Sequence, residues 1–157
     1  MRRLVHALLL WAGVGLSSAA VAELAPFDAD RLDTITQTRA GQPFVLVLWS
    51  IDCPPCYKEL AMLGRLRERF APGQLVLVST DSADHQDEIE HTLARFGLTA
   101  LESYVFADSV PARLRQRIDP TWFGELPRSY LYNADHSRRA ISGLLDERAL
   151  MQSLGLQ

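Results

Sequence analysis

The sequence is short of several things, and each shortage closes off a class of function. Two cysteines in 157 residues are too few for a small disulfide scaffold and one pair short of a zinc ribbon. Lysine occurs once, as Lys58, and the arginines are scattered along helical stretches instead of forming a block. A nucleic-acid partner is therefore disfavoured. There is no internal repeat and no low-complexity tract, and no apolar run reaches the roughly 20 residues that span a bilayer. A composition of 48% hydrophobic and 22% charged residues, with a net charge of −3, excludes a disordered, collagenous or strongly basic chain. One globular domain fits the length.

What is present begins with an export leader. Met1-Arg2-Arg3 precedes an apolar run from Leu4 to Leu16, followed by small residues ending in Ala20-Val21-Ala22 before the first acid, Glu23. These are the three parts of a signal peptide over residues 1–22, with cleavage expected after Ala22 and a mature domain over 23–157. An uncleaved amino-terminal anchor is the alternative, disfavoured by the short run. No cysteine stands directly after the run, so lipid anchoring through one is excluded. Loss of Arg2 and Arg3 lowers the basic count from 16 to 14 against 19 acids, which leaves a mildly acidic exported domain.

Periodicity predicts alternating helices and strands. A helix is expected over 30–38, a strand buried on both faces over 44–49 from the run Phe44 to Trp49, and an amphipathic helix over 54–70 with Leu60, Leu63, Leu66 and Phe70 on one face. A second buried strand follows at 75–79, then a helix over 84–96 capped by Asp84 and stopped by Gly97. A short apolar stretch at 104–106, a brief helix at 111–118 and a loop at 119–125 lead to a strand over 126–132 with Pro127 at its start. A turn at 133–137, a returning strand at 138–142 and a helix at 146–154 complete the chain. The expected fold class is α/β, a central mixed sheet flanked by helices on both faces, with two adjacent parallel strands and an antiparallel hairpin. Loops at the carboxyl ends of the parallel strands should carry the chemistry.

Cys53-Pro54-Pro55-Cys56 occupies such a loop, between the first buried strand and its helix. In that setting Cys-x-x-Cys is a redox motif. Unpaired amides and the positive end of the helix dipole stabilise a thiolate at Cys53, and Cys56, one turn in, is placed to attack a mixed disulfide formed there. A permanent structural disulfide is the competing account, but so small a loop restrains the unfolded chain little. Haem attachment needs a histidine where Tyr57 stands. His85 and His91 are six residues apart, so they do not face one metal site with the thiols.

Taken together, Trp49 four residues before Cys53, the Cys-Pro-Pro-Cys core, Lys58-Glu59 after it and Leu126-Pro127 before a hairpin resemble the TlpA/ResA-like branch of thioredoxin-fold proteins, over Glu23 to Gln157. These are exported bacterial thiol-disulfide oxidoreductases. The resemblance implies a thioredoxin-like fold, a cis peptide bond before Pro127, and a backbone at Leu126 that hydrogen-bonds an extended client segment. It also implies that Glu59 lies near the dithiol and tunes its proton traffic, accepting the proton of Cys56. A solvated helix glutamate is the bland account of the same residue. Thioredoxin itself places an acid six residues before the first cysteine, where this chain has Val47.

Three positions depart from that pattern. Asp52 stands where the family commonly has Trp, and its charge should oppose the helix dipole and raise the thiolate pKa of Cys53. Ala61 replaces a kinking proline, so a straighter helix is expected. The loop Asp119 to Gly124 carries Trp122 and Phe123, which either line a partner groove or pack into the core and its rim. The expectation is a periplasmic thiol-disulfide oxidoreductase that reduces protein disulfides, with Cys53, Cys56 and Glu59 catalytic and Leu126, Pro127 and Trp122 binding substrate. No metal and no small-molecule cofactor is expected beyond the Cys53/Cys56 disulfide. The implied partners are protein thiol or disulfide clients, in cytochrome c maturation or copper-centre assembly, and a membrane reductant of DsbD type. A non-catalytic copper-handling or client-binding module is the alternative.

Overall fold

A computed structural model describes residues 24–156; the signal peptide expected over 1–22 lies outside the described residues. Thirteen short elements follow one another, and the six strands form one mixed sheet in the order β1-β4-β3-β2-β5-β6. They are β1 (Ala25–Phe27), β2 (Phe44–Trp49), β3 (Leu75–Ser82), β4 (Glu102–Phe106), β5 (Arg128–Tyr132) and β6 (Arg138–Ser142). β1, β4, β3 and β2 run parallel, whereas β5 and β6 are antiparallel additions. The helices are α1 (Arg31–Thr38), α2 (Pro54–Leu66), α3 (Gln86–Arg95), α4 (Pro111–Ile118) and α5 (Glu147–Ser153).

The period-two alternation of β2 divides the core. Val45, Val47 and Trp49 join one cluster with Leu60 and Leu63 of α2, Ile89 and Leu93 of α3, and Leu150 of α5. Phe44, Leu46 and Leu48 join the other with Ile35 of α1, Leu114 and Ile118 of α4, and the aromatics Phe27, Tyr104, Phe106, Tyr130 and Tyr132. Every residue of β2 is consequently buried, which is why its sequence is an unbroken apolar run. Packing of α2 on the chain leaving α3 depends on Gly64: a Cβ there would lie 2.1 Å from the Phe96 carbonyl oxygen.

The expected α/β class and its helices and strands are present; β4 spans Glu102–Phe106 and β5 Arg128–Tyr132, so Pro127 precedes its strand instead of opening it, and there are four further differences. β1 was not expected; three residues including Pro26 carry no period of their own, and the strand exists by pairing with β4. β3 runs on to Ser82 through a register shift opposite β4. The end of the α2 segment tightens into a 3-10 turn at Arg67–Arg69. Asp84 does not cap α3: it sits in a 3-10 turn capped by the Ser82 hydroxyl, which accepts the Asp84 N–H at 3.3 Å, and α3 starts at Gln86.

Two loops are brought together by this topology. Residues 50–53 leave the carboxyl end of β2. Because β5 is antiparallel to β2, with Arg128 opposite Leu48, the dipeptide Leu126–Pro127 enters at that same edge.

Candidate active site

Cys53 is the N-cap of α2, in extended backbone geometry, and Pro54 and Pro55 fill the first helical positions. Prolines suit those positions because their missing N–H groups would be unpaired anyway. Cys53 and Cys56 form a disulfide with Cα atoms 5.3 Å apart. The Cys56 N–H donates to Cys53 Sγ at 3.2 Å, so a helix-start amide already points at the sulfur that would hold the negative charge on reduction. Cys53 is 8% exposed and Cys56 is fully buried. An incoming sulfur therefore meets Cys53 first.

The loop before Cys53 is built around Asp81, at the end of β3. Its carboxylate accepts the Ser50 hydroxyl at 2.7 Å, the Ile51 N–H at 3.0 Å and the Ser79 hydroxyl at 2.5 Å. Ser50 Oγ in turn accepts the Asp52 N–H at 3.1 Å, and Ser50 O accepts the Cys53 N–H at 3.2 Å. The Tyr57 hydroxyl closes the loop by donating to Ile51 O. Asp52 projects into solvent.

Glu59 lies one turn beyond Cys56 on α2, a spacing that puts both on one helix face. It is buried. Its Oε1 accepts the Ser129 hydroxyl at 2.8 Å, and its Oε2 accepts the Leu145 N–H at 3.2 Å. Burial pushes its carboxyl above the ordinary range, and the Ser129 and Leu145 hydrogen bonds only partly offset that. The solvated-glutamate account therefore does not fit. Ser129 is the cross-strand neighbour of Val47, so an acid from α2 reaches the surroundings of the position where thioredoxin keeps one in the strand.

The Leu126–Pro127 bond is cis. Leu126 packs against both hydrophobic clusters, the one that contains Cys53 and Cys56 and the aromatic one. On one side of it Glu125 O accepts the Trp122 indole N–H at 2.9 Å, and on the other Pro127 O accepts the Gly143 N–H at 2.9 Å. Among the described residues neither the N–H nor the C=O of Leu126 has a hydrogen-bond partner. That leaves one donor and one acceptor for an added strand.

Trp122 is placed differently from the groove-lining role expected of it. Its ring is buried in the aromatic cluster, on the face of the sheet away from the dithiol, and its N–H is spent on Glu125 O. Phe123 is the aromatic that faces solvent, at 92% exposure. The structure thus sets Cys53, Cys56 and Glu59 along α2 and packs Leu126 against the cluster that holds both cysteines, with the cis Pro127 next to it in the chain and Trp122 on the other face. Asp81, Ser129 and Arg128 were missed by sequence reasoning: Ser50 and Glu59, the partners of the first two, lie 31 and 70 residues away, and the partners of Arg128, though within 14 residues, are gathered by the hairpin and the loop before it and follow no local period. Among the described residues no group of three or more His, Cys, Asp or Glu is arranged to hold a metal ion, and no helix is long and apolar enough to cross a membrane.

No protein-family model and no curated protein sequence matches the chain. Solved structures do match. A secreted Mycobacterium tuberculosis disulfide oxidoreductase homologous to Escherichia coli DsbE aligns at a TM-score of 0.57 and 18% identity, over 76% of this chain and 84% of that one. A thioredoxin-family thiol:disulfide interchange protein from Chlorobium tepidum aligns at 0.61 and 13%, over 76% and 82%. StoA from Bacillus subtilis aligns at 0.52 and 23%, over 72% and 82%. The fold is therefore thioredoxin-like, of the form found in thiol:disulfide interchange proteins. On that fold the chain carries a Cys-x-x-Cys pair in its disulfide form.

Proposed function

We propose that the protein is a periplasmic thiol-disulfide oxidoreductase of the TlpA/ResA-like family that reduces protein disulfides. The observation that carries this is the placement of the Cys53–Cys56 pair at the start of α2 beside a Leu126 backbone with both polar groups free. In the reduced state the Cys53 thiolate attacks one sulfur of a client disulfide, forming a mixed disulfide and releasing a client thiolate that takes up a proton. Cys56 gives its proton to Glu59 and its thiolate attacks Cys53 Sγ, which breaks the mixed disulfide and frees the second client sulfur as a thiolate that takes up a proton. Two electrons pass to the client, and the Cys53–Cys56 disulfide is left behind. A membrane reductant of DsbD type then restores the dithiol.

A carboxyl held above its usual range is a better reservoir for that proton than a solvated one. The reducing direction is favoured by Asp52, whose charge beside Cys53 opposes thiolate formation. Export is supported by the signal-peptide pattern of residues 1–22. The clients would be proteins of cytochrome c maturation or copper-centre assembly.

The test is a Cys56→Ser variant carrying its own leader, expressed in the periplasm, with identification of whatever stays disulfide-linked to Cys53. Cytochrome precursors would assign the first pathway and a copper-centre subunit the second. Normal export and folding without any adduct would remove Cys53 as the nucleophile. A reduction potential near about −270 mV agrees with a reductant, whereas one near about −120 mV reverses the direction. Stoichiometric copper binding without disulfide reduction would establish the metal-handling module instead.

A further inference from the structure

Arg128 follows Pro127 directly and opens β5. Its side chain is 9% exposed, and burying a guanidinium is costly unless its donors are met. All three nitrogens are engaged. Nη2 donates to Asp119 Oδ2 at 2.8 Å, Nε to the Tyr130 hydroxyl at 3.2 Å, and Nη1 to Glu125 Oε1 at 3.1 Å and to the Ser142 hydroxyl. Asp119 is held in turn: its Oδ1 accepts the Thr121 N–H at 2.9 Å and hydroxyl at 2.7 Å, and its Oδ2 accepts the Tyr130 hydroxyl at 3.1 Å. Ser142 also donates to Glu125 Oε1 at 2.9 Å.

The strand alternation fixes where this network lies. Tyr130 and Tyr132 belong to the aromatic cluster and Leu131 to the dithiol cluster. Arg128 therefore stands on the aromatic side, as its bond to Tyr130 requires, while Ser129 turns toward Glu59. The guanidinium is thus on the opposite face of the sheet from the dithiol cluster. What it does is join the residue before Leu126–Pro127 to the residue after it, since Glu125 and Arg128 flank the dipeptide. Trp122 and Gly143 hold the carbonyls of Glu125 and Pro127, so the segment is fixed on every side except at the two free groups of Leu126.

We propose that Arg128 is a positioning residue for client binding: by clamping Glu125 across the Leu126–Pro127 dipeptide it presets the backbone on which an extended, disulfide-bearing polypeptide docks. The role rests on the oxidoreductase reading given above. A preset edge spares the ordering of a loop when the client binds. Arginine suits the task because its planar fork reaches several acceptors at fixed angles, which the single ammonium of lysine does not.

Two substrates separate this role from a general structural one. Insulin is a polypeptide disulfide that needs a docking edge, and hydroxyethyl disulfide is too small to use one. For Arg128→Lys the expected result is a KM for insulin raised about tenfold, with kcat, the reduction potential and the rate on hydroxyethyl disulfide unchanged. Equal losses on both substrates, or an unchanged insulin KM with only a lower Tm, would overturn the proposal. Should that variant fail to fold, Glu125→Ala takes its place, because the Glu125 side chain is 45% exposed. A rise of about threefold in insulin KM alone is then expected, and no selective rise overturns the role. A wild-type protein inactive on both substrates would instead refute the oxidoreductase reading itself.

Discussion

The loop that carries Cys53 and the loop that carries Leu126 lie at one end of the central strands, yet they are assembled by opposite charges. In the first, a carboxylate gathers donors: Asp81 collects two hydroxyls and the Ile51 amide. In the second, a guanidinium gathers acceptors: Arg128 collects Asp119, Glu125 and two hydroxyls. The difference follows from what each loop leaves unpaired. A loop turning into a helix start has spare backbone N–H groups, which a carboxylate satisfies. The entry to β5 has acidic side chains and Tyr130 to hold, and needs a donor on the far side of the sheet. Its positive charge is thereby neutralised by Asp119 and Glu125 before it can act on the dithiol.

The largest effect should come from the guanidinium-built loop. Asp119→Ala leaves Arg128 without its buried partner, and loss of one member of such a pair costs about 3–5 kcal/mol, readable as a lower urea midpoint. Burial alone would raise the Asp119 carboxyl, but the hydrogen bonds from Thr121, Arg128 and Tyr130 outweigh it and hold it well below its ordinary 3.8. A depressed carboxyl contributes stability above its unfolded value and loses it as pH falls. The gap between wild type and the variant should accordingly be full at neutral pH and close in strong acid. A gap that ignored pH would mean that packing, not the ion pair, holds this loop.

A smaller effect is expected from the carboxylate-built loop. Asp81→Ala strands the Ile51 N–H and the Ser50 hydroxyl, at a cost of about 1–3 kcal/mol. Unlike substitutions in the other loop, it should slow reduction of hydroxyethyl disulfide, because it loosens the segment that sets Cys53. If the small substrate were reduced at the wild-type rate, the two loops would not differ in function as described.

The smallest effect concerns Glu59, which bonds Ser129 beyond the second loop and Leu145. A raised carboxyl stabilises the fold in its neutral form below the ordinary value of 4.5, and that contribution is lost as pH rises through the folded value. Glutamine mimics the neutral form, accepting from Leu145 and donating to Ser129. Glu59→Gln should gain Tm relative to wild type at pH 8 compared with pH 4, and a gain independent of pH would rule out the burial effect.

Much of this was legible before folding. The unbroken run Phe44 to Trp49 announces a strand covered on both faces, and Cys53-Pro54-Pro55-Cys56 announces a helix start with a sulfur at its cap. These signals are local, since period and capping act over a few residues. The orientation of the Trp122–Phe123 pair was not legible. Neighbouring aromatics in a loop carry no period, and the choice fell to the Glu125 carbonyl and the space beside Tyr130. β1 escaped notice because three residues cannot display an alternation that only β4 makes use of.

By itself the sequence determined the order of helices and strands from α1 to α5, the α/β class and the dithiol at the carboxyl end of a buried strand, since each is set by residues adjacent in the chain. Tertiary structure alone decided that Glu59 is buried against Ser129, 70 residues away. It also decided that Asp81 builds the loop of Cys53 from 30 residues away and that Arg128 binds Asp119 and Ser142 at once. A charged side chain has the same identity in water and in a core. Only the partners that folding brings within about 3 Å settle whether it is solvated, paired or part of a site.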